Sequence, residues 1–113
     1  MTTFSKQLLS GSTNGRPINV DAYGSSVTIH TVDSSAIDEV WLYAVNTGSS
    51  AVTLTIEFGG TDNPEDYIIA TLQSQSGLSQ IIPGVPLNGS VVVKAFASSA
   101  NVVNIVGWVN RIS

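Results

Sequence analysis

The sequence predicts an all-β fold: a two-sheet antiparallel sandwich, jelly-roll or immunoglobulin-like, with seven to eight strands. Three observations lead to this. Apolar residues recur with period two from Ser26 onward; Val52, Leu54, Ile56 and Phe58 alternate with Thr53, Thr55 and Glu57. Turn residues such as Asn46-Thr47-Gly48, Asn88-Gly89 and Ser98-Ser99-Ala100-Asn101 interrupt the pattern at short intervals. No segment carries the 3.6-residue stripe of a surface helix. A chain of 113 residues has room for one two-layer core.

Residues 1–26 read as an N-terminal arm or edge segment, and residues 27–113 as the sandwich domain. Within the arm, Ser5 to Leu9 and Ile18 to Ala22 have short-strand character, and Pro17 before the second suits an edge. Asn14-Gly15-Arg16 has the look of a recognition tripeptide, but Asn-Gly favours positive φ and reads better as a turn. Strands follow over Val27–Val32, Val40–Val45, Val52–Phe58, Tyr67–Leu72, Leu78–Ile82, Val91–Ala97 and Val102–Ile112. Asn46–Ser50 and Ser98–Asn101 are expected to be hairpin loops, and Pro83-Gly84-Val85-Pro86 a bend. The echo between Ser49-Ser50-Ala51-Val52 and Ser98-Ser99-Ala100-Asn101-Val102 is too short to be a repeat.

Charged residues make up 11% of the chain, against about 25% in an average soluble domain. Ser, Thr, Asn and Gln must therefore supply the polar surface. They lose less side-chain entropy than Lys or Glu when a partner covers them. The net charge is −4, and Lys6, Arg16, Lys94 and Arg111 are scattered. Such a chain has no basic stripe for nucleic acid. No apolar run is long enough to span a membrane, and Met1–Lys6 lacks the apolar stretch of a signal peptide. A protein made and used without secretion by that route is expected. With no cysteine, no disulfide or thiolate metal site is expected either.

Several strands are apolar on both faces. Val40, Leu42 and Ala44 oppose Trp41, Tyr43 and Val45; Val91, Val93 and Ala95 oppose Val92 and Phe96; Val103, Ile105 and Val109 oppose Val102, Val106 and Trp108. One set fills the core and the other needs a second cover. Trp41, Tyr43, Val92, Phe96, Val106 and Trp108 are the candidate interface residues. Together they would form a patch on the order of several hundred Å2, large enough to mark an interaction site. The competing expectation is that residues 1–22 fold over this face within one subunit.

Catalytic and ligand-binding patterns are weak. His30, on the face opposite Ile29, is the only histidine and is expected at the surface or an interface; as a base it would need a serine and Asp33. No nucleophile-elbow sequence occurs. Asp62-Asn63-Pro64-Glu65-Asp66 offers oxygen ligands without the spacing of a calcium loop. Asp33, Asp38 and Glu39 invite the same thought and the same answer. Asn88-Gly89-Ser90 is a sequon best read as a turn, and no glycine-rich loop opens a helix to cradle phosphate. No enzymatic activity and no cofactor are expected.

Two stretches, Asp38-Glu39-Val40-Trp41-Leu42-Tyr43-Ala44-Val45-Asn46-Thr47 and Val52-Thr53-Leu54-Thr55-Ile56-Glu57-Phe58-Gly59-Gly60-Thr61, carry a resemblance. Ile82-Pro83-Gly84, Leu87 to Ala97 and the ending Gly107-Trp108-Val109-Asn110-Arg111-Ile112 complete it. Over residues 27–112 the chain resembles small proteins encoded among the head genes of tailed bacteriophages, of the capsid decoration or cement type. The resemblance implies a homotrimer on the outer surface of the virion that clamps subunits of the major capsid protein, with no catalytic residues to carry over. Other virion roles (fibre, spike or tail-associated module) remain as alternatives. So does a carbohydrate-binding module using Trp41, Tyr43 and Trp108 as an aromatic platform.

Overall fold

A computed structural model describes residues 2–113. It contains nine strands: β1 (Phe4–Leu8), β2 (Ile18–Val20), β3 (Val27–Thr31), β4 (Ile37–Asn46), β5 (Val52–Phe58), β6 (Tyr67–Leu72), β7 (Ser79–Leu87), β8 (Val92–Ala97) and β9 (Val103–Ile112). No helix occurs among the described residues. Sheet A has the order β1-β9-β4-β7, with β2 also paired to β9; sheet B has the order β3-β8-β5-β6. The predicted sandwich is the observed architecture.

The pairings are nested. β5 pairs with β6, β4 with β7, β3 with β8 and β2 with β9, all antiparallel. The chain is thus one long two-stranded ribbon with the β5–β6 hairpin at its tip. Rolling the ribbon brings β9 against β4 and β8 against β5. This is the winding of a jelly roll, and it resolves the topology the sequence left open.

The winding also corrects two expected hairpins. Asn46–Ser50 joins β4 of sheet A to β5 of sheet B, and Ser98–Asn101 joins β8 of sheet B to β9 of sheet A. Both are arches between sheets. They lie side by side, where the Thr47 N–H and hydroxyl donate to the Val102 carbonyl at 2.7 and 2.8 Å. Asn46 anchors its own arch from a buried position: its amide donates to Ser50 O and Leu72 O, and its Oδ1 accepts from Gly48 N–H.

The inward residues are those the alternation selects. Val40, Leu42, Ala44, Leu54, Ile56, Val93, Ala95, Val103, Ile105 and Val109 are all fully buried. They form one cluster with Leu9, Ile18, Val20, Ile29 and Ile82, removing apolar surface from water at about 25 cal/mol per Å2.

Of the two readings of the N-terminal segment, arm or edge, the described residues 2–26 do not show the arm: β1 is the edge strand of sheet A. β1 and β2 both lie along β9, and Thr3 and Ser113 exchange backbone hydrogen bonds at 2.7 and 2.9 Å. The backbone groups along β9 left free by β4 find partners there. Between the two strands, Asn14 and Gly15 turn the chain with φ of 57° and 79°. The bend expected at 83–86 is not found, because these residues lie inside β7. This strand is an edge, so Pro83 and Pro86 cost no ladder bond, and its two register shifts against β4 leave Gly84 and Ile81 as the extra residues.

Candidate interaction surface

Register fixes which side chains share the outer face of sheet A, because directly opposed residues point the same way. Phe4, Ile112 and Ile37 form one cross-strand row. Lys6, Asn110, Glu39 and Pro86 form the next, followed by Leu8, Trp108, Trp41 and Pro83. Val106, Tyr43 and Gln80 form a fourth. Apolar rows are therefore divided by one polar row, within which the Asn110 amide donates to Glu39 at 2.9 Å.

Trp108 is the centre of this face. Trp41 stacks on it with a 5.8 Å centroid separation and a 13° interplanar angle, and Tyr43 packs at 5.8 Å and 23°. Lys6 places its ammonium 5.1 Å from the Trp108 ring centroid, a cation–π arrangement. The two tryptophans and Tyr43 remain half-buried, while Phe4, Leu8 and Ile37 are 67%, 57% and 41% exposed. Residues 2–22 do not cover the face. They widen it, since β1 adds Phe4 and Leu8 beside β9.

The six candidate interface residues do not form one patch. Trp41, Tyr43, Val106 and Trp108 share the outer face of sheet A. Val92 and Phe96 lie on β8, and so on the outer face of sheet B. Period-two alternation separates inner from outer within a strand but carries no information on which sheet the strand joins. There Phe96 is 8% exposed and meets Tyr23 and Tyr67 edge-on. That outer face also carries Thr28, Thr31, Thr53, Thr55 and Thr71, the row of Tyr67, Glu57 and Lys94, and the exposed Ile69.

His30 is buried rather than superficial. A register shift between Thr28 and His30 marks a bulge in β3, so Ile29 and His30 both turn inward. The Ser10 backbone N–H donates to Nδ1 at 3.0 Å, which leaves Nε2 to donate to Asp38 Oδ2 at 2.8 Å. The Ser10 hydroxyl accepts from Thr31 N–H instead. Asp38, not Asp33, is thus the histidine's carboxylate partner. Both ring nitrogens are engaged and the ring is 1% exposed.

Asp38 is fully buried and also accepts two hydrogen bonds from Arg111, at 2.8 and 3.0 Å, and one from Asp33 N–H. Burial works against its charge, but Arg111, His30 and the Asp33 N–H outweigh it and hold its pKa down at about 2. Asp33 is lowered too, chiefly by the N–H groups of Ala36 and Ser35. This network was missed in the sequence. Its signal was phase: Asp38 is in step with Val40 and Leu42, and Arg111 with Val109.

The 62–66 loop is held by its own chain. The Asp66 N–H donates to Asp62 O, and Asp66 Oδ2 accepts from Asp62 N–H. Among the described residues, two of the open cups are large enough to consider. One, about 470 Å3, lies between Ile37, Phe58, Leu87 and Val91; the other, about 430 Å3, lies beside Tyr23, Glu57 and Tyr67.

No family model matches the chain, no curated protein matches it, and no solved structure matches it.

Proposed function

We propose that the chain is a structural protein of a tailed-bacteriophage head, a decoration protein that assembles as a homotrimer on the outer capsid surface and stabilises contacts between major capsid protein subunits. The observation that carries the assembly role is the outer face of sheet A. A sandwich needs one apolar face per sheet, and this sheet has two. Phe4, Leu8 and Ile37 stand exposed around a half-buried Trp41–Trp108–Tyr43 stack. The few charges on the chain suit a surface that another protein covers. The virion setting rests on the sequence resemblance over residues 27–112.

The mechanism is mechanical. Burying aromatic and aliphatic side chains between chains is worth about 1.5–3 kcal/mol for each large residue, against an association cost of about 4–15 kcal/mol. Each added contact across a joint between capsomers raises the work of pulling the shell apart. Face-to-face packing suits this molecule better than edge pairing at β7, whose prolines and register shifts block strand addition.

The test is to mix purified protein with expanded heads, measure saturating stoichiometry and heat resistance, and image the particles by electron microscopy. Saturable binding at fixed shell positions with raised heat resistance is expected. Failure to bind heads, or localisation to the tail, overturns the capsid assignment.

A further inference from the structure

The smaller cup lies on the outer face of sheet B, away from the assembly surface. Register sets Glu57 of β5 between Tyr67 of β6 and Lys94 of β8 in one cross-strand row. Phe96 stands in the adjoining row, opposite Thr55. The connection from β2 to β3 brings Tyr23 over the sheet, where its ring meets Phe96 at 5.2 Å; Tyr67 meets Phe96 from another side at 5.9 Å. With residues 24–26 these line an open cup of about 430 Å3, within the range of roughly 300–1,000 Å3 typical of small-ligand sites.

Glu57 makes this cup more than a dent between aromatic rings. It is 5% exposed, and its Oε1 has no hydrogen-bond partner among the described residues. A buried acceptor of this kind is unfavourable until a donor arrives. Lys94 is its cross-strand neighbour, yet the two form no ion pair among the described residues. The Tyr67 pKa is raised, first by burial and then by the neighbouring Glu57 and Tyr23.

We propose that this cup binds a neutral sugar ring. One hydroxyl donates to the Glu57 carboxylate as it turns its buried Oε1 towards the cup, and a second accepts from the Lys94 ammonium. The C–H face of the ring packs against Tyr23, which is 79% exposed and free to meet it. Charge selects this class of ligand. Glu57 and Lys94 cancel, so a cation meets Lys94 and an anion meets Glu57, whereas vicinal hydroxyls complement both. The aromatic platform expected from sequence is less suited, because Trp41, Tyr43 and Trp108 stack on one another.

The experiment screens the full chain against an array of neutral glycans, then titrates the best one by calorimetry. At least one neutral glycan should bind. Tyr23→Ala and Glu57→Gln should each weaken it by about tenfold or more, a loss of about 1.4 kcal/mol, while Leu78→Ser, at an exposed position outside both surfaces, leaves it unchanged. Tyr23 is exposed, so its variant carries the test even if the Glu57 variant unfolds. The proposal is overturned if no neutral glycan binds, or if binding survives Tyr23→Ala. It is equally overturned if a tetramethylammonium or sulfate probe outcompetes the sugar at this cup. Oligomeric mass and head binding are read separately, so failure here leaves the assembly role standing.

Discussion

Asp38 and Arg111 face each other across β4 and β9 at a register position where both strands point into the sandwich. The guanidinium grips both carboxylate oxygens, at 2.8 and 3.0 Å, in the bidentate geometry that makes such pairs strong. Asp38 is fully buried, while Arg111 keeps 27% of its side chain exposed. The carboxylate therefore has more to lose. Arg111→Met should lower stability by roughly 3 kcal/mol, because it strands a buried charge. Adding Asp38→Asn should recover part of that loss: the amide oxygen still accepts from His30 and no charge remains. Urea unfolding of both variants measures this, and a double variant no better than the single one contradicts it.

The same pair sets a pH dependence. Burial opposes ionisation of Asp38, but the hydrogen bonds from Arg111, His30 and Asp33 N–H depress its pKa from 3.8 to about 2. A folded-state pKa below the unfolded one means the unfolded chain binds the proton more tightly. The stabilisation is therefore complete above the unfolded value of 3.8 and is lost as pH falls towards about 2. Its size is roughly 2 kcal/mol. Asp33 is lowered as well and acts in the same direction. Denaturation midpoints from pH 5 downward, a range chosen to bracket about one unit above the carboxylate value, should fall for the native chain. They should fall less steeply for Asp38→Asn.

Much of this architecture was legible in the sequence, and the reasons for the misses are specific. Alternation in 40–45, 52–58, 91–97 and 103–109 identified the core residues, because a strand's faces are fixed by its pleat. The path of the chain between sheets was not legible. A four- or five-residue polar loop such as Asn46–Ser50 serves a hairpin and an arch equally well. For that reason Phe96 was grouped with Trp41, although their strands lie in different sheets. His30 escaped because a bulge breaks the alternation without leaving a mark in residue type. The Asp38–Arg111 pair carried a usable mark: each charge is in phase with buried valines.

Gly84 supports the Trp41 side of the outer face. It has φ of 76°, and a Cβ built on it would lie 2.5 Å from the Trp41 ring. Any side chain must both hold a left-handed backbone and push the indole off its stack with Trp108. Gly84→Ala should cost about 1–3 kcal/mol and shift tryptophan fluorescence. Combining it with Trp41→Ala removes the steric part and should leave only the backbone cost. Additive losses in the pair point to an unrelated cause.

Leu8 and Trp108 test the assembly surface from its edge and its centre. They sit opposite each other on β1 and β9, but Leu8 is 57% exposed and paired on one side only. A charge at Leu8 therefore costs the monomer little, since exposed substitutions usually fall within about 0.5 kcal/mol. In an assembled complex the same charge is buried without a partner, at a cost of several kcal/mol. Leu8→Glu should keep the thermal unfolding of the isolated subunit while lowering the association constant by about a hundredfold or more, equivalent to about 3 kcal/mol. Trp108→Ala should damage both, because it removes the ring on which Trp41, Tyr43 and Lys6 pack. Light scattering over a dilution series, with circular dichroism melting on the same samples, separates fold from association. A Leu8→Glu chain that retains the native oligomeric mass shows that sheet A does not make the contact. The association would then have to run through another surface, of which the uncharged, proline-free edge strand β6, Tyr67–Leu72, is the next to examine.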